Sequence, residues 1–113
     1  MPTFLFLNIK RYEYNAKRKE LKKINLDLSY PDEINLDFLM KTPEGLDYVL
    51  YSVVVHKGRS PNSGHYFCFI NVSKNVLEPI WYEFNDTIVR KVPTNKVLKN
   101  YTGKKKTVIQ LTK

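Results

Sequence analysis

Two apolar stretches in the middle of the chain decide its fold: YVLYSVVVH at 48–56 and HYFCFINV at 65–72. Both are rich in Val, Tyr and Phe, residues that favour β-strands, and both are long enough to cross a sheet. The segment between them, 57–64, carries two Gly, one Pro, one Asn and two Ser. That composition predicts an exposed and adaptable loop. The two stretches are therefore predicted to pair as a long-looped β-hairpin.

The sequence on either side of this hairpin adds strands but little helix. The nearly continuous apolar and aromatic run at 4–12 predicts a strand covered on both faces, and the alternation at 21–28 predicts its half-buried antiparallel partner. Further strands are predicted at 79–84, 87–92 and 107–111, a polar turn at 15–19, a loop at 42–45, and short helical segments at 35–40 and 93–98. Few and short helices favour an antiparallel sheet over a doubly wound parallel one. The predicted fold class is α+β and strand-dominated.

The length of the chain bounds its domain organisation. With 113 residues, the chain fits a single unit, 1–113, and is long enough to bury a core. Strands that are buried on both faces need a covering layer on each side, and a chain of this length does not supply all of them. The sequence therefore predicts one partial domain that belongs to a larger fold.

Charge and composition narrow the environment of the protein. The net charge is +8, from 19 Lys and Arg against 11 Asp and Glu, which permits acidic partners without fixing one. The basic residues cluster at 10–11, 17–19, 22–23 and 104–106, where solvated turns are favoured over a binding surface. No apolar stretch approaches the ~20 residues of a membrane span. A single cysteine excludes an intrachain disulfide and fits a reducing compartment, so we expect a cytoplasmic or nuclear protein without a membrane partner.

Polar residues at the ends of two apolar strands offer acid–base chemistry. His65 stands just past a glycine at the mouth of one strand, and WYEFND at 81–86 is a second aromatic strand with a polar end. A general base needs a group on its far ring nitrogen to fix its tautomer and orientation. Asn85 can do this through its side-chain oxygen, with Asp86 as a charged alternative and Glu83 as a weaker third candidate. The alternative interpretation is a structural histidine beside an Asn-Asp turn.

The chain offers no convincing nucleophile. Alternation along the strand puts Cys68 on the face opposite to His65, and burial between aromatic side chains raises the pKa of a thiol. Cys68 is therefore predicted to be a small core residue. A metal site built from His56, His65, Cys68 and Asp86 is not favoured, because no Cys-x-x-Cys and no histidine pair at ligand spacing is present. No metal and no cofactor are predicted.

Several blocks of this sequence resemble the catalytic domain of ubiquitin-specific proteases. They resemble that family's lysine-arginine strand, the segment after it, its histidine box and its closing motif. In chain order the blocks are LFLNIKRY at 5–12, KIN at 23–25, YP at 30–31, LDFL at 36–39, YVLYSVVVHKG at 48–58, GHY at 64–66 and WYEFND at 81–86. Their order and spacing make the resemblance specific over about residues 3–92. The loop lengths look most like the herpesvirus-associated subgroup.

The resemblance implies the palm part of a papain-like thiol hydrolase. Such an enzyme cleaves the peptide or isopeptide bond after the C-terminal glycine of ubiquitin, so ubiquitin and ubiquitinated proteins are the implied partners. His65 matches the family's catalytic base, Asn85 its third triad member and Asp86 a polar neighbour that assists.

The resemblance also implies where the ubiquitin tail would bind. The segment 57–64 looks like the loop that closes over that tail, and the loop at 41–47 looks like its companion. Ser63, Gly64 and Tyr66 are the substrate-binding candidates, with Gly64 letting the backbone pass close to the tail.

The family's cysteine box, helical thumb and fingers would precede residue 1. The resemblance therefore implies the C-terminal half of a catalytic domain, which needs its N-terminal half as a partner and is inactive alone. The segment 107–111 lacks the aromatic ending expected of the family, so its placement is left open. Two alternatives remain: a catalytically dead ubiquitin-binding module, and a basic nucleic-acid-binding β domain. The latter is less favoured, because most aromatics lie inside apolar runs rather than on an exposed stacking face.

Overall fold

The computed structural model describes residues 2–24, 26, 28–60, 62–75, 77–98 and 105–112, with the backbone alone for Arg59 and for 105–112. Strands dominate these residues, and helix is limited to two short segments. The elements are β1 (Phe4–Asn8), β2 (Tyr12–Asn15), β3 (Glu20–Lys23), β4 (Glu33–Asn35), a 3₁₀ turn (Asp37–Leu39), β5 (Asp47–Ser60), β6 (Ser63–Asn71), β7 (Trp81–Asn85), β8 (Ile88–Val92), α1 (Thr94–Val97) and β9 (Lys105–Thr112). The predicted strand-dominated α+β class is confirmed.

Seven of these strands form one antiparallel sheet. Its order is β1-β9-β5-β6-β7-β8, and β4 pairs with one end of β5. Strand β5 is 14 residues long and contacts β4, β6 and β9, so it organises the sheet. Strands β2 and β3 form a separate two-stranded hairpin. Within the described residues, no helix is long and apolar enough to cross a membrane.

The core lies on one face of the seven-stranded sheet. Val53 of β5 pairs with Phe69 of β6, which in turn pairs with Glu83 of β7, so the three side chains share that face. Helix α1 covers it: Lys96 lies over the Phe69 ring, and the carbonyl of Val97 accepts a hydrogen bond of 2.6 Å from the hydroxyl of Tyr30. The buried hydrophobic residues are Tyr30, Leu36, Leu46, Tyr48, Leu50, Val53, Val55, Phe69, Trp81, Val92 and Val97.

The first strand differs from its prediction in length and in burial. The strand predicted at 4–12 is shorter in the structure, because β1 ends at Asn8. Tyr12 belongs instead to β2, the first strand of a separate hairpin. Phe4 is 50% exposed and Phe6 is 65% exposed. Successive side chains of a strand alternate between the two faces of a sheet. The face opposite to the core is therefore left partly uncovered by the described residues, and the prediction of burial on both faces was wrong here.

The partner of β1 also differs from the prediction. Strand β3 pairs with β2, while β1 pairs with β9 at the far end of the chain. The reason is local: the side chain of Asn15 accepts the backbone N–H groups of Lys17 and Arg18 at 3.1 Å, which closes a tight turn between the two nearest strands. Asn25 and Asp27, in the strand predicted at 21–28, lie outside the described residues.

Apart from the loop at 57–64, described below, the remaining sequence predictions of secondary structure agree with the structure. Strands β5 and β6 form the predicted antiparallel pair, and β7 and β8 meet at the predicted corner after Asn85. The predicted helical segments appear as the 3₁₀ turn and as α1. The last strand, whose place was left open, lies between β1 and β5 as β9.

Truncation of a core aromatic should show how much of the stability depends on the packed face. We expect Phe69→Ala to lower the free energy of unfolding by about 3–5 kcal/mol, because it removes a fully buried ring. The matched change Phe6→Ala, at a ring that is 65% exposed in the same sheet, should cost about 1 kcal/mol or less. Urea unfolding of both variants measures the difference, and equal losses would contradict the assignment of the core face.

Candidate active site

The side chains of His65 and Asn85 meet at the end of two neighbouring strands. Strand β6 pairs with β7 through Cys68 opposite Phe84, which puts His65 and Asn85 on the same face of the sheet. The Nε2 atom of His65 lies 2.6 Å from the Oδ1 atom of Asn85. The imidazole is 44% exposed, so one edge of the ring remains open to solvent. The structure thus brings together the two residues that the sequence singled out first.

This contact fixes which ring nitrogen of His65 can act as a base. An amide oxygen only accepts hydrogen bonds, so Nε2 must carry the proton that it donates to Asn85. In a neutral imidazole the other nitrogen, Nδ1, then holds the lone pair. His65 is therefore oriented with Nδ1 as the proton acceptor, which is the arrangement that a general base requires.

Asp86 lies beside this pair but at a longer distance. Its Oδ2 is 3.8 Å from Nε2 of His65, and its side chain is 76% exposed. The residue has a φ of 52°, in the left-handed region that Asp tolerates better than most residues. The turn at 86–87 thus leaves Asn85 as the hydrogen-bonding partner of His65 and places the Asp86 carboxylate at ion-pair range.

The segment before His65 is more ordered than its composition predicts. The loop expected at 57–64 is replaced by strand ends, because β5 runs to Ser60 and β6 starts at Ser63. Lys57 pairs with His65 and Ser60 pairs with Ser63, with a bulge between the two pairs. The prediction of a long adaptable loop was therefore wrong, and Pro61 lies outside the described residues.

Two glycines make this close pairing possible. A Cβ atom on Gly64 would lie 2.6 Å from the carbonyl oxygen of Lys57 and would also collide with Nε2 of His56. A Cβ atom on Gly58 would lie 2.9 Å from the Cα atom of Gly64 and would collide with the carbonyl of Ser63. His56 is 2% exposed, and its ring packs against the two glycines. The sequence did not predict this role for His56.

The three substrate-binding candidates occupy different environments. Ser63 and Gly64 lie on the exposed strand end just before His65. Tyr66 is 57% exposed and points to the opposite face, where its ring packs on His56 with a centroid distance of 4.6 Å. Ser63 and Gly64 thus adjoin the His65–Asn85 pair, whereas Tyr66 lies behind it.

The companion loop at 41–47 is held by one carboxylate. Asp37 accepts the backbone N–H groups of Leu46, Glu44 and Gly45 at 2.9, 3.1 and 3.2 Å. The Leu46 bond is the main cause that lowers the pKa of Asp37 below its ordinary value. The loop therefore has a fixed shape at neutral pH. None of the described hydrogen bonds joins this loop to His65.

Comparison with known proteins identifies the family. A family model described as ubiquitin carboxyl-terminal hydrolase matches residues 1–109. The chain belongs to the ubiquitin carboxyl-terminal hydrolase family. Ubiquitin carboxyl-terminal hydrolase 5 of Schizosaccharomyces pombe is 35% identical over 108 residues, which cover 90% of this chain and 9% of the relative. Ubiquitin carboxyl-terminal hydrolase 23 of Arabidopsis thaliana is 39% identical over 93 residues, which cover 80% of this chain and 10% of the relative.

Solved structures of similar fold agree with this family. A chain of the SAGA Ubp8/Sgf11/Sus1/Sgf73 DUB module superimposes with a TM-score of 0.80 at 27% identity, covering 99% of this chain and 24% of that chain. A chain of that module bound to ubiquitin aldehyde gives a TM-score of 0.78 at 26% identity, again covering 99% of this chain and 24% of that one. This hydrolase-family chain therefore spans a tenth or less of the two curated relatives and about a quarter of the solved chains.

The only cysteine of this hydrolase-family chain is not part of the His65 site. Cys68 lies on the opposite face of β6 from His65: its cross-strand partner is Phe84, and Asn85, the next residue of β7, points to the other face. Burial raises the pKa of its thiol, the reverse of what an attacking thiolate needs. Within the described residues, no group of three His, Cys, Asp or Glu side chains could hold a metal ion.

Glu83, the weaker orienting candidate, is engaged elsewhere. Its carboxylate, 4% exposed, accepts hydrogen bonds from Arg90 across the β7–β8 hairpin and from Lys96 of α1 at 2.7 Å. Burial works to raise the pKa of Glu83, but the hydrogen bonds and charges of Lys96 and Arg90 outweigh it and lower the pKa below its ordinary value. Glu83 thus holds α1 against the strand that carries Asn85. The sequence indicated only that Glu83 and Asn85 share a face of that strand, and it did not predict this ion pair.

Removing the Glu83 charge should destabilise the hydrolase-family chain in a pH-dependent way. We expect Glu83→Gln to lower the free energy of unfolding by about 1–3 kcal/mol at pH 7, because Arg90 and Lys96 lose the negative charge they pair with and an NH2 donor replaces one of the two acceptor oxygens. A carboxylate with a lowered pKa stabilises the fold above its unfolded pKa of about 4.3 and loses this effect as pH falls through the folded pKa. The difference from wild type should therefore shrink below about pH 4. Urea unfolding across pH tests this, with Glu78→Gln, at an exposed carboxylate, as the control.

A methyl group at Gly64 should disturb the His65 contact. We expect Gly64→Ala to cost about 2–3 kcal/mol of stability, because the new Cβ meets a backbone carbonyl that cannot rotate away. Gly45→Ala is the matched control: Gly45 has a φ of 69° but open space around it, so only backbone strain of about 1 kcal/mol opposes the change. The ring resonances of His65 in NMR spectra should shift in Gly64→Ala and stay in place in Gly45→Ala. The reverse pattern would refute the close approach.

Proposed function

We propose that this chain supplies the histidine-bearing, C-terminal part of the catalytic domain of a thiol-dependent deubiquitinase, with ubiquitin and ubiquitinated proteins as its partners. The observation that carries the proposal is the contact of 2.6 Å between His65 Nε2 and Asn85 Oδ1, in a chain of the ubiquitin carboxyl-terminal hydrolase family. The nucleophilic cysteine comes from the remainder of the domain, which this chain does not contain. Residues 1–113 alone are therefore inactive.

The reaction follows from the orientation of the imidazole. Nδ1 of His65 takes the proton of the cysteine thiol, and the thiolate attacks the carbonyl carbon of the C-terminal glycine of ubiquitin. The imidazolium then gives its proton to the leaving amine, which departs and leaves a thioester. Water, deprotonated by the same Nδ1, attacks the thioester and releases ubiquitin and the free thiol.

Asn85 and Asp86 have different roles in this scheme. Asn85 is neutral, and it holds the ring in one tautomer while Nδ1 gains and loses a proton. The Asp86 carboxylate, at 3.8 Å from Nε2, assists when the ring is positively charged. A cysteine nucleophile needs less activation than a serine, so a neutral orienting residue suffices.

Ser63, Gly64 and Tyr66 form the substrate-binding part of the proposal. The exposed backbone of Ser63 and Gly64 adjoins His65, which suits an extended glycine-rich tail that must pass close to the strand. Tyr66 contributes from behind through its packing on His56. The solved SAGA module bound to monoubiquitin and the one bound to ubiquitin aldehyde support ubiquitin as the ligand class.

Two finer assignments complete the proposal. Loop lengths favour the herpesvirus-associated subgroup, and the single cysteine fits a reducing compartment, the cytoplasm or nucleus. Nucleic acid is not favoured as a substrate, because Tyr30, Tyr48, Phe69 and Trp81 are buried in the core, where they cannot stack on the bases of a single strand.

Hydrolysis of a fluorogenic amide of the ubiquitin C-terminus tests the proposal in the full-length parent protein. We expect His65→Ala to lower kcat/KM by about 10²–10⁴-fold, because the general base is lost. Asn85→Ala should lower kcat with a smaller change in KM, whereas Asn95→Ala, an exposed asparagine in α1, should leave both unchanged. Residues 1–113 alone should show no turnover.

Two outcomes of this assay would contradict the proposal. Full activity of His65→Ala would remove His65 from the reaction. An inactive parent that still binds ubiquitin would favour the catalytically dead binding module instead. The thermal unfolding temperature of each variant shows whether activity is lost because the general base is missing or because the protein no longer folds.

A further inference from the structure

Strand β8 continues the sheet face that carries His65 and Asn85. Asn85 of β7 pairs with Ile88 of β8, and directly paired residues of antiparallel strands project to the same side of the sheet. The Cβ atoms of such a pair lie about 5 Å apart. Across this face the order is therefore His65, Asn85 and then Ile88, with the aliphatic side chain on the far side of the amide.

Ile88 is the apolar group that β8 presents on the face of the site. Its side chain is 59% exposed. Val89, the next residue of β8, is similarly exposed at 53%, but it pairs with Phe84 and therefore projects to the opposite face. Arg90 returns to the face of Ile88, where its guanidinium is held by the carboxylate of Glu83. An exposed aliphatic surface thus lies directly beside the polar pair.

The two sides of His65 face different halves of the substrate. Ser63 and Gly64 precede His65 on the side of β5 and β6, where the proposed function has the ubiquitin tail. The group that leaves is attached to the other end of the bond that is cleaved, so it extends away from that tail. In the strand order β5-β6-β7-β8 this direction leads to the β7–β8 hairpin, which carries Asn85 and Ile88.

The leaving group of an isopeptide bond has the chemistry that suits this surface. It is a lysine side chain, with its nitrogen in the bond and a flexible stem of four carbons behind it. Such a stem packs along apolar surface while its polar end lies in a polar environment. The His65 imidazole is partly exposed, so the stem can pass over the ring and reach Ile88.

We propose that Ile88 is a specificity-determining residue on the leaving-group side of the site, and that it contacts the lysine stem of the ubiquitinated partner. This inference rests on the proposed deubiquitinase function and adds to it a contact on the amine side of the bond. It makes the enzyme favour ubiquitin that is linked to lysine over ubiquitin that is linked to a small leaving group.

Hydrolysis of two ubiquitin substrates by the full-length parent protein tests this proposal. One is ubiquitin joined by an isopeptide bond to the lysine of a fluorescein-labelled peptide. The other is ubiquitin methyl ester, whose leaving group has no stem. We expect Ile88→Thr to lower kcat/KM for the isopeptide substrate about three- to tenfold, because the apolar contact with the stem is lost, and to leave kcat/KM for the ester nearly unchanged. Ile88→Val, which keeps an apolar side chain, should recover most of the loss.

Val89→Thr is the matched control for this experiment. It introduces the same residue at a similarly exposed position of the same strand, but on the opposite face. We expect it to hydrolyse both substrates nearly as well as wild type. The thermal unfolding temperatures of the two threonine variants show whether the substitution disturbs β8, and Ile88→Val then provides the comparison in an undisturbed strand.

The outcomes separate this inference from the proposed function. An equal loss on both substrates in Ile88→Thr would mean that Ile88 supports the catalytic pair or packs against the remainder of the parent chain, and it would overturn the leaving-group contact. Unchanged hydrolysis of the isopeptide substrate would overturn it as well, while the proposed function would stand. A wild-type parent that hydrolyses neither substrate would instead refute the proposed function itself.

Discussion

The pairing of β5 with β6 is the interaction on which the rest of the structure depends. The same ladder that buries Val53 against Phe69 continues outward to Lys57 opposite His65. The candidate base therefore stands at the rim of a rigid sheet, where burial gives way to solvent. The ladder can continue past His56 only because Gly58 and Gly64 have no side chains to separate the two strands. The position of His65 at the end of the sheet is therefore set by the packing of β5 against β6 in the core.

Two polar side chains of β7, Glu83 and Asn85, stabilise this end of the sheet through different contacts. Toward the core, the buried Glu83 carboxylate joins Arg90 and Lys96 and fastens α1 to the sheet. Toward solvent, the neutral amide of Asn85 holds the ring of His65. A buried carboxylate repays its cost of desolvation only when it is paired and its oxygens are hydrogen-bonded, as those of Glu83 are. An orienting group beside the imidazole can remain neutral, because it only has to accept the hydrogen bond that Nε2 donates.

The sheet is well covered on one face only, and this asymmetry agrees with the family relationship. The core cluster and α1 lie on one side, while aromatic residues such as Phe6 stay exposed on the other. The chain spans about a quarter of the solved chains whose fold it shares. The exposed face supports the proposal that the chain is one part of a larger catalytic domain.

The sequence by itself determined the strand-rich class, the β5–β6 hairpin, the corner after Asn85 and the pairing of His65 with an amide, because alternation and residue type are local signals. It misjudged what depends on distant contacts. The segment at 57–64 reads as a loop by composition, yet its glycines serve close strand pairing; β1 reads as the partner of the next strand, yet it pairs with β9. The bonds of Glu83 to Arg90 and Lys96 were likewise decided only by the tertiary structure. Strand partners and ion pairs are chosen by which surfaces fit together in space, and no local pattern records that choice.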